Sequence, residues 1–213
     1  MDLLLDSGRV AADGAAFGWA VAARPKRPGD VSGDGYLLRR LSGGRFLAAV
    51  IDGAGSGRPA AAAAAAGLEA ISGTLPPDPA EIFAACHAGL AGTRGAALGI
   101  AVIDQAAGRL VWAAIGDIDA VLIRPGPTGA GARLCMPRQG GMLGSTPPDP
   151  RPQTCPLGPG DLLAMVTDGV GRSFVDALWP ERDPSQAARA MLHRAARPGD
   201  DSLALVLQLE DPR

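Results

Sequence analysis

The sequence predicts an α+β fold in which antiparallel β-sheets carry helices on their outer faces. Three observations lead there. The apolar residues, 47% of the 213, fall in organised runs despite abundant Gly (30) and Pro (19). Those runs come as consecutive strands, then two helices, then several strands, two more helices and a last strand. The turns within the strand blocks are short. Blocks of strands separated by helix pairs argue for antiparallel sheets and against alternating βαβ units.

The elements follow in order. "WAVAA" (19–23), "GYLLRR" (35–40) and "RFLAAVI" (45–51) read as strands. A helix begins near Pro59, a residue favoured in the first turn, and runs through seven alanines to about Ser72. A second, "PAEIFAACHAGLA", has apolar residues at helical spacing after the "PPDP" break. Strands are then expected at 96–104, 109–115 and 120–124, joined by the hairpin-length turns "DQAAGR" and "GDID". Shorter strands are expected around 132–136 and 152–157, inside or beside a Gly/Pro-rich segment, 125–150, that reads as an irregular flap or a plain surface loop. "DLLAMVTDG" is a buried strand, helices follow at about 173–179 and 184–196, and "SLALVLQLE" closes the series. The length suits one domain spanning residues 1–213.

Composition excludes several function classes. A net charge of −2 leaves no basic face for a nucleic-acid backbone, and Arg24, Lys26 and Arg27 form only a local cluster that reads as a solvated loop. The start "MDLLLDSGRV" places acids where a signal peptide needs a basic region, and "AALGIAVI" is strand-length, too short for a bilayer. A cytosolic protein without nucleic-acid or membrane partners is expected. Cys86, Cys135 and Cys155 show no C-x-x-C pairing and read as buried thiols; His87 and His193 lack metal-ligand spacing and read as structural or solvent-facing.

The stretch "AAVIDGAGSGRPAAAAAAAG" poses the functional question, because its glycines at 53, 55 and 57 suggest a phosphate cradle. The glycine spacing is G-x-G-x-G, no strand follows the first helix, and Asp52 would face a pyrophosphate, so a dinucleotide fold does not fit. No lysine completes a P-loop, and Ser56 in A-G-S-G-R does not make a nucleophile elbow. What remains is the carboxylate. Asp34 in "VSGDGY", Asp168 in "MVTDGV", and Asp200 and Asp201 in "RPGDDSLALVL" also sit in turns beside apolar strands. Each alone is ordinary turn chemistry. Together their context favours convergence at the sheet ends, where two carboxylates 4 Å apart would repel by roughly 4 kcal/mol at an effective dielectric of 20. Divalent cations would offset that, and an all-oxygen ligand set suits magnesium or manganese over zinc.

These residues resemble the metal-dependent protein phosphatase (PPM) superfamily, the protein phosphatase 2C-like fold. Within it they are similar to the compact bacterial branch that includes the sporulation stage II phosphatase and the stressosome serine phosphatase. The motifs "SGDGY", "AAVIDGAGSG", "RGAALGIAVID", "LVWAAIGDIDAVLI", "GGMLG", "GDLLAMVTDGV" and "GDDSLALVLQL" stand in family order across residues 30–209.

The resemblance implies a four-layer αββα sandwich, two antiparallel sheets flanked by helices, with a two-metal Mn2+ or Mg2+ site at one edge. Asp52 would bridge both ions, the carbonyl of Gly53 and Asp34 would help hold one, and Asp168 and Asp200 the other. Asp117, in "IGDIDA", matches a position associated with an accessory third ion. Asp34 and Asp52 would carry catalysis. Two ions can activate a water for attack on a phosphoserine and neutralise charge on the phosphoryl group without a covalent phosphoenzyme. Two features of larger family members, an N-terminal phosphate-clamping arginine and a proton-donating histidine, have no counterpart here, and Asp119 stands where many relatives have arginine. The implied substrate is a phosphorylated regulatory protein of the STAS, partner-switching type. An inactive phosphoprotein-binding relative and a small-molecule metal phosphoesterase are the alternatives; the latter would need a deep, closed pocket. The substrate's identity and the oligomeric state are not legible.

Overall fold

A computed structural model describes residues 3–12, 15–73, 78–126, 131–177 and 183–210. Its strands form two sheets in which every neighbouring pair is antiparallel. The larger has the order Leu4–Ala12 (β1), Ala15–Arg24 (β2), Ser202–Leu209 (β11), Leu162–Val166 (β10), Asp119–Arg124 (β7) and Ala132–Cys135 (β8). The smaller has the order Asp34–Arg40 (β3), Phe46–Gly53 (β4), Ala96–Asp104 (β5), Arg109–Ile115 (β6) and Gln153–Pro156 (β9).

The sheets pack face to face. One side of each central strand meets the other sheet in a core containing Val21, Val50, Trp112, Met165 and Leu205, with Phe17 and Phe46 edge to face at 4.6 Å between ring centroids. The other sides are covered by helices, so β4, β10 and β11 are apolar on both faces and read as continuous hydrophobic runs rather than alternating ones. Arg58–Ser72 (α1) and Pro79–Gly89 (α2) cover the smaller sheet; Phe174–Ala177 (α3) and Pro184–Ala195 (α4) cover the larger. The result is the four-layer αββα sandwich.

The alanine run of α1 has a packing reason. Ala60, Ala63, Ala64, Gly67 and Ile71 form its buried stripe, at the three- and four-residue spacing of one helix face. Small side chains let the helix lie close to β4: a methyl group at Gly67 would come within 2.5 Å of the Ile51 Cδ1 atom. Asp78 and Asp183 cap α2 and α4, accepting backbone N–H bonds from Ala80 (2.8 Å) and Gln186 (2.9 Å).

Three expectations need correction. The N-terminal stretch forms β1, a full edge strand registered from Leu4 against Ala23 to Ala12 against Ala15, although its largely exposed residues carried no apolar strand signal. The "GDID" turn does not close a hairpin: β6 lies in the smaller sheet and β7 in the larger, so the chain crosses the sandwich there. Cys135 is exposed on the edge strand β8, whereas Cys86 and Cys155 are buried as expected. The segment 125–150 is only partly irregular. It contains β8, and Leu143 exchanges backbone hydrogen bonds with Ala96 at 3.0 and 3.1 Å; residues 127–130 lie outside the described part.

Candidate metal centre

The chain reaches the same end of both sheets repeatedly, and each time it leaves an aspartate there. Asp34 opens β3 and Asp52 stands near the end of β4, directly opposite it in the register. Asp168 follows β10 by two residues, Asp200 and Asp201 precede β11, and Asp117 lies in the crossover between β6 and β7. Asp34, Asp52, Asp117, Asp168, Asp200 and Asp201 all line one cleft of about 280 Å³, closed on the other sides by Ala54, Gly55, Ala97 and Met142.

Electrostatics show the strain of that gathering. Burial, and then the charge of Asp52, push the Asp34 carboxyl well above its ordinary range; burial, and then the charges of Asp168 and Asp200, do the same to Asp52. Asp168 is raised by burial first and by Asp200 next, with Arg197 acting in the opposite direction. Asp52 and Asp168 also interact directly, a contact that favours the protonated form of Asp52 and the ionised form of Asp168. No three His, Cys, Asp or Glu side chains among the described residues are already set to hold an ion. The cleft thus brings the oxygen donors to one place without their being drawn into a cage.

The donors differ in what else they do. The Thr167 hydroxyl donates to Asp34 Oδ2 at 2.8 Å and accepts from the Leu203 N–H at 2.9 Å, tying the start of β3 to the larger sheet. Asp201 is buried, and both of its oxygens are engaged, by the N–H of Lys26 (2.6 Å) and of Gly33 (2.9 Å). Asp201 therefore acts as a clamp on the loop leading to β3. Among the described residues Asp200 accepts a 3.1 Å bond from the Asp201 N–H and no other, which leaves its outer oxygen lone pairs available. Asp117 is ion-paired to Arg138 Nη1, while Arg138 Nε lies 2.8 Å from Asp119.

Gly53 does not line the cleft. It is buried beneath it, its N–H donating to the Gly33 carbonyl at 3.0 Å, and a Cβ there would sit 2.1 Å from the Ala60 carbonyl oxygen. Glycine is required for that close approach of β4 to α1. Gly55, at φ +99°, then turns the chain over the cleft mouth toward the start of α1. His87 accepts the Gly144 N–H at 3.0 Å on Nδ1 and His193 is exposed, the structural and solvent-facing roles expected of them.

Of the expected residues, the cleft brings together Asp34, Asp52, Asp117, Asp168 and Asp200. Sequence reasoning passed over Thr167, Arg138 and the separate role of Asp201. The first stands inside the "VTDG" motif and was readable as a polar residue ending an apolar strand; nothing in the sequence linked Arg138 to Asp117.

The model of the family described as Stage II sporulation protein E (SpoIIE) matches residues 42–210. The chain belongs to the SpoIIE family. Among solved structures, RsbX in complex with magnesium is 19% identical with a TM-score of 0.83, covering 97% of this chain and 100% of that one. The PP2C phosphatase domain of Bacillus subtilis SpoIIE, with a fragment of its regulatory domain, is 18% identical with a TM-score of 0.71, covering 98% of this chain and 70% of that one. The Mycobacterium tuberculosis serine/threonine phosphatase PstP is 18% identical with a TM-score of 0.69, covering 91% and 99%. At these identities the likeness shows the fold, that of the PPM phosphatases. No curated protein sequence matches the chain.

Proposed function

We propose that this SpoIIE-family chain is a Mn2+- or Mg2+-dependent protein serine/threonine phosphatase whose catalytic domain spans residues 1–213. The observation that carries the reading is the meeting of Asp34, Asp52, Asp168 and Asp200 in one cleft at the sandwich edge, with raised carboxyl protonation that a hard cation would relieve. The donor set is all oxygen, the chemistry that suits magnesium or manganese, and two such ions would share it.

Asp52 faces Asp34 across the β3–β4 register and feels the charges of Asp168 and Asp200, so it would be the donor that the ions share. Asp34, held in one orientation by Thr167, would help hold one ion, with the Gly53 carbonyl reaching it from beneath the cleft; Asp168 and Asp200 would hold the other, and Asp117, once released from Arg138, an accessory third. Bound there, the cations supply an activated water and charge neutralisation for phosphoryl transfer. The residues of the chain orient the donors, through Thr167 on Asp34 and the Asp201 clamp on the loop before β3. Among the described residues that line the cleft there is no serine, cysteine or histidine, which supports direct attack by water.

At about 280 Å³ the cleft lies at the lower edge of the range of small-molecule pockets, roughly 300–1,000 Å³, which suits a phosphorylated side chain better than a large small-molecule substrate. Chains of similar fold include one from a structure described under the bacterial stressosome and the RsbU and RsbW domains of one Mycobacterium tuberculosis protein, which supports a phosphorylated regulatory protein as substrate. No helix among the described residues is long and apolar enough to cross a membrane, and a cytoplasmic site of action is proposed with the same substrate class.

The purified protein is expected to hydrolyse a chromogenic aryl phosphate with manganese or magnesium and to stop when either is chelated. Metal-dependent binding of a phosphoprotein without turnover would favour the inactive-relative reading instead.

A further inference from the structure

We propose that an apolar recess beside the acidic cleft receives an apolar side chain of the phosphoprotein substrate, while an acidic neighbour of that side chain pairs with Arg172. This rests on the phosphatase reading above and names the specificity site that goes with it.

The recess is larger than the cleft, about 360 Å³, and its walls are Ala120 and Val121 of β7, Met136 after β8, and Phe174 and Val175 of α3. Cys135, exposed on the edge strand β8, also lines it. An ion-pair network joins the linings of the two spaces. Asp119 and Arg138 line the recess, and the same guanidinium holds Asp117, which lines the cleft. A segment with its phosphorylated residue in the cleft therefore reaches the recess within a few residues.

The chemistry of the two spaces is complementary. The cleft offers aspartates, three small neighbours and Met142, enough to hold metal and the phosphate it binds but little that distinguishes one phosphorylated segment from another. The recess offers apolar surface for one large aliphatic or aromatic side chain. At its rim Arg172 is exposed and has no ion-pair partner among the described residues, unlike Arg138 beside it. An unpaired guanidinium next to an apolar hollow fits a segment that is both apolar and acidic.

The test compares wild type, Cys135→Trp and Arg172→Glu on a manganese-supported phosphoserine peptide library with varied flanking residues, and on a chromogenic aryl phosphate. Wild type is expected to prefer Leu, Ile or Phe over Ala at one fixed offset by about tenfold in kcat/KM, the worth of burying such a side chain, with Asp or Glu favoured beside it. Cys135→Trp is expected to erase the apolar preference, and Arg172→Glu to replace the acidic preference with a basic one, with aryl phosphate hydrolysis unchanged in both. Alkylating Cys135 with N-ethylmaleimide blocks the recess without a substitution, because Cys86 and Cys155 are buried, and should reproduce the Trp result.

A library without positional preference, or a preference that survives both variants, overturns the proposal, as does a loss equally large on the aryl phosphate. Failure of wild type to hydrolyse the aryl phosphate would instead remove the phosphatase reading. Fluorescence polarisation with the same peptides would then still decide the recess: preferential binding lost in both variants supports it, and unselective binding sinks it.

Discussion

Arg138 Nε lies 2.8 Å from an Asp119 carboxylate oxygen, and the Nη1 of the same guanidinium is paired with Asp117 and lies 3.1 Å from the Gly116 carbonyl. A fixed positive charge thus occupies the carboxylate that the family resemblance assigns to an accessory ion. The arginine's own charge is stabilised by both partners, against the cost of its partial burial. Calorimetric titration with manganese is therefore expected to show one more weak site in Arg138→Ala than in wild type, because truncation frees Asp117. Equal stoichiometry in the two proteins would show that Arg138 does not block a cation there.

The metal-free protein should lose stability as pH rises. Asp34 and Asp52 have folded-state pKa values raised to about 8 and about 7, against about 4 in an unfolded chain. Between those limits the native state binds more protons than the unfolded state, so stability is fully present below pH 4 on their account and is lost as pH climbs through 7 to 8. Thermal melts in chelator are expected to show a lower Tm at pH 8 than at pH 5.5. Millimolar manganese should reverse the order, since the cations bind the ionised carboxylates of the native state. A metal-free Tm that rises over this interval would contradict the assigned crowding.

Asp52→Asn separates stability from function. The amide keeps the shape and removes one of the mutually repelling charges. Allowing for water in the cleft, the metal-free protein at pH 8 should gain on the order of 1 kcal/mol, or about 2–4 °C in Tm. Metal-dependent aryl phosphate hydrolysis should fall to background, and the manganese-induced rise in Tm should shrink. Unchanged activity in this variant would show that Asp52 is not the bridging donor.

Much of this was legible because it is written in local pattern. The two-faced apolar run of β4, the alanine stripe of α1 and the aspartates at strand ends all carry their signal within a few residues. β1 was missed because an edge strand exposed along most of its length needs no apolar alternation; its pairing with β2 supplies the stabilisation. The "GDID" crossover was misread because a chain that changes sheets can be as short as one that turns back. Asp200 and Asp201 looked alike in sequence, and only the backbone donors of Lys26 and Gly33, 175 and 168 residues away, set their roles apart. The Arg138 link spans a Gly/Pro-rich segment in which no periodicity constrains where a side chain ends up.

That last distinction between neighbours makes the sharpest stability test. Asp201 satisfies two backbone N–H groups from inside the protein, and Asp201→Ala leaves both without a partner. Charge-assisted bonds of this kind contribute about 1.5–3 kcal/mol each, and the two share one carboxylate, so the loss should be about 2–4 kcal/mol whether or not metal is present. Asp200→Ala removes a single bond to the adjacent N–H, a contact within one turn that water can replace. It should leave the metal-free Tm within about 2 °C of wild type, yet weaken manganese binding and slow aryl phosphate hydrolysis. Denaturant melts in chelator and in manganese resolve the two cases. If Asp200→Ala is the more destabilised without metal, or Asp201→Ala folds normally and loses only its response to manganese, the ligand and the clamp have been assigned to the wrong members of the pair.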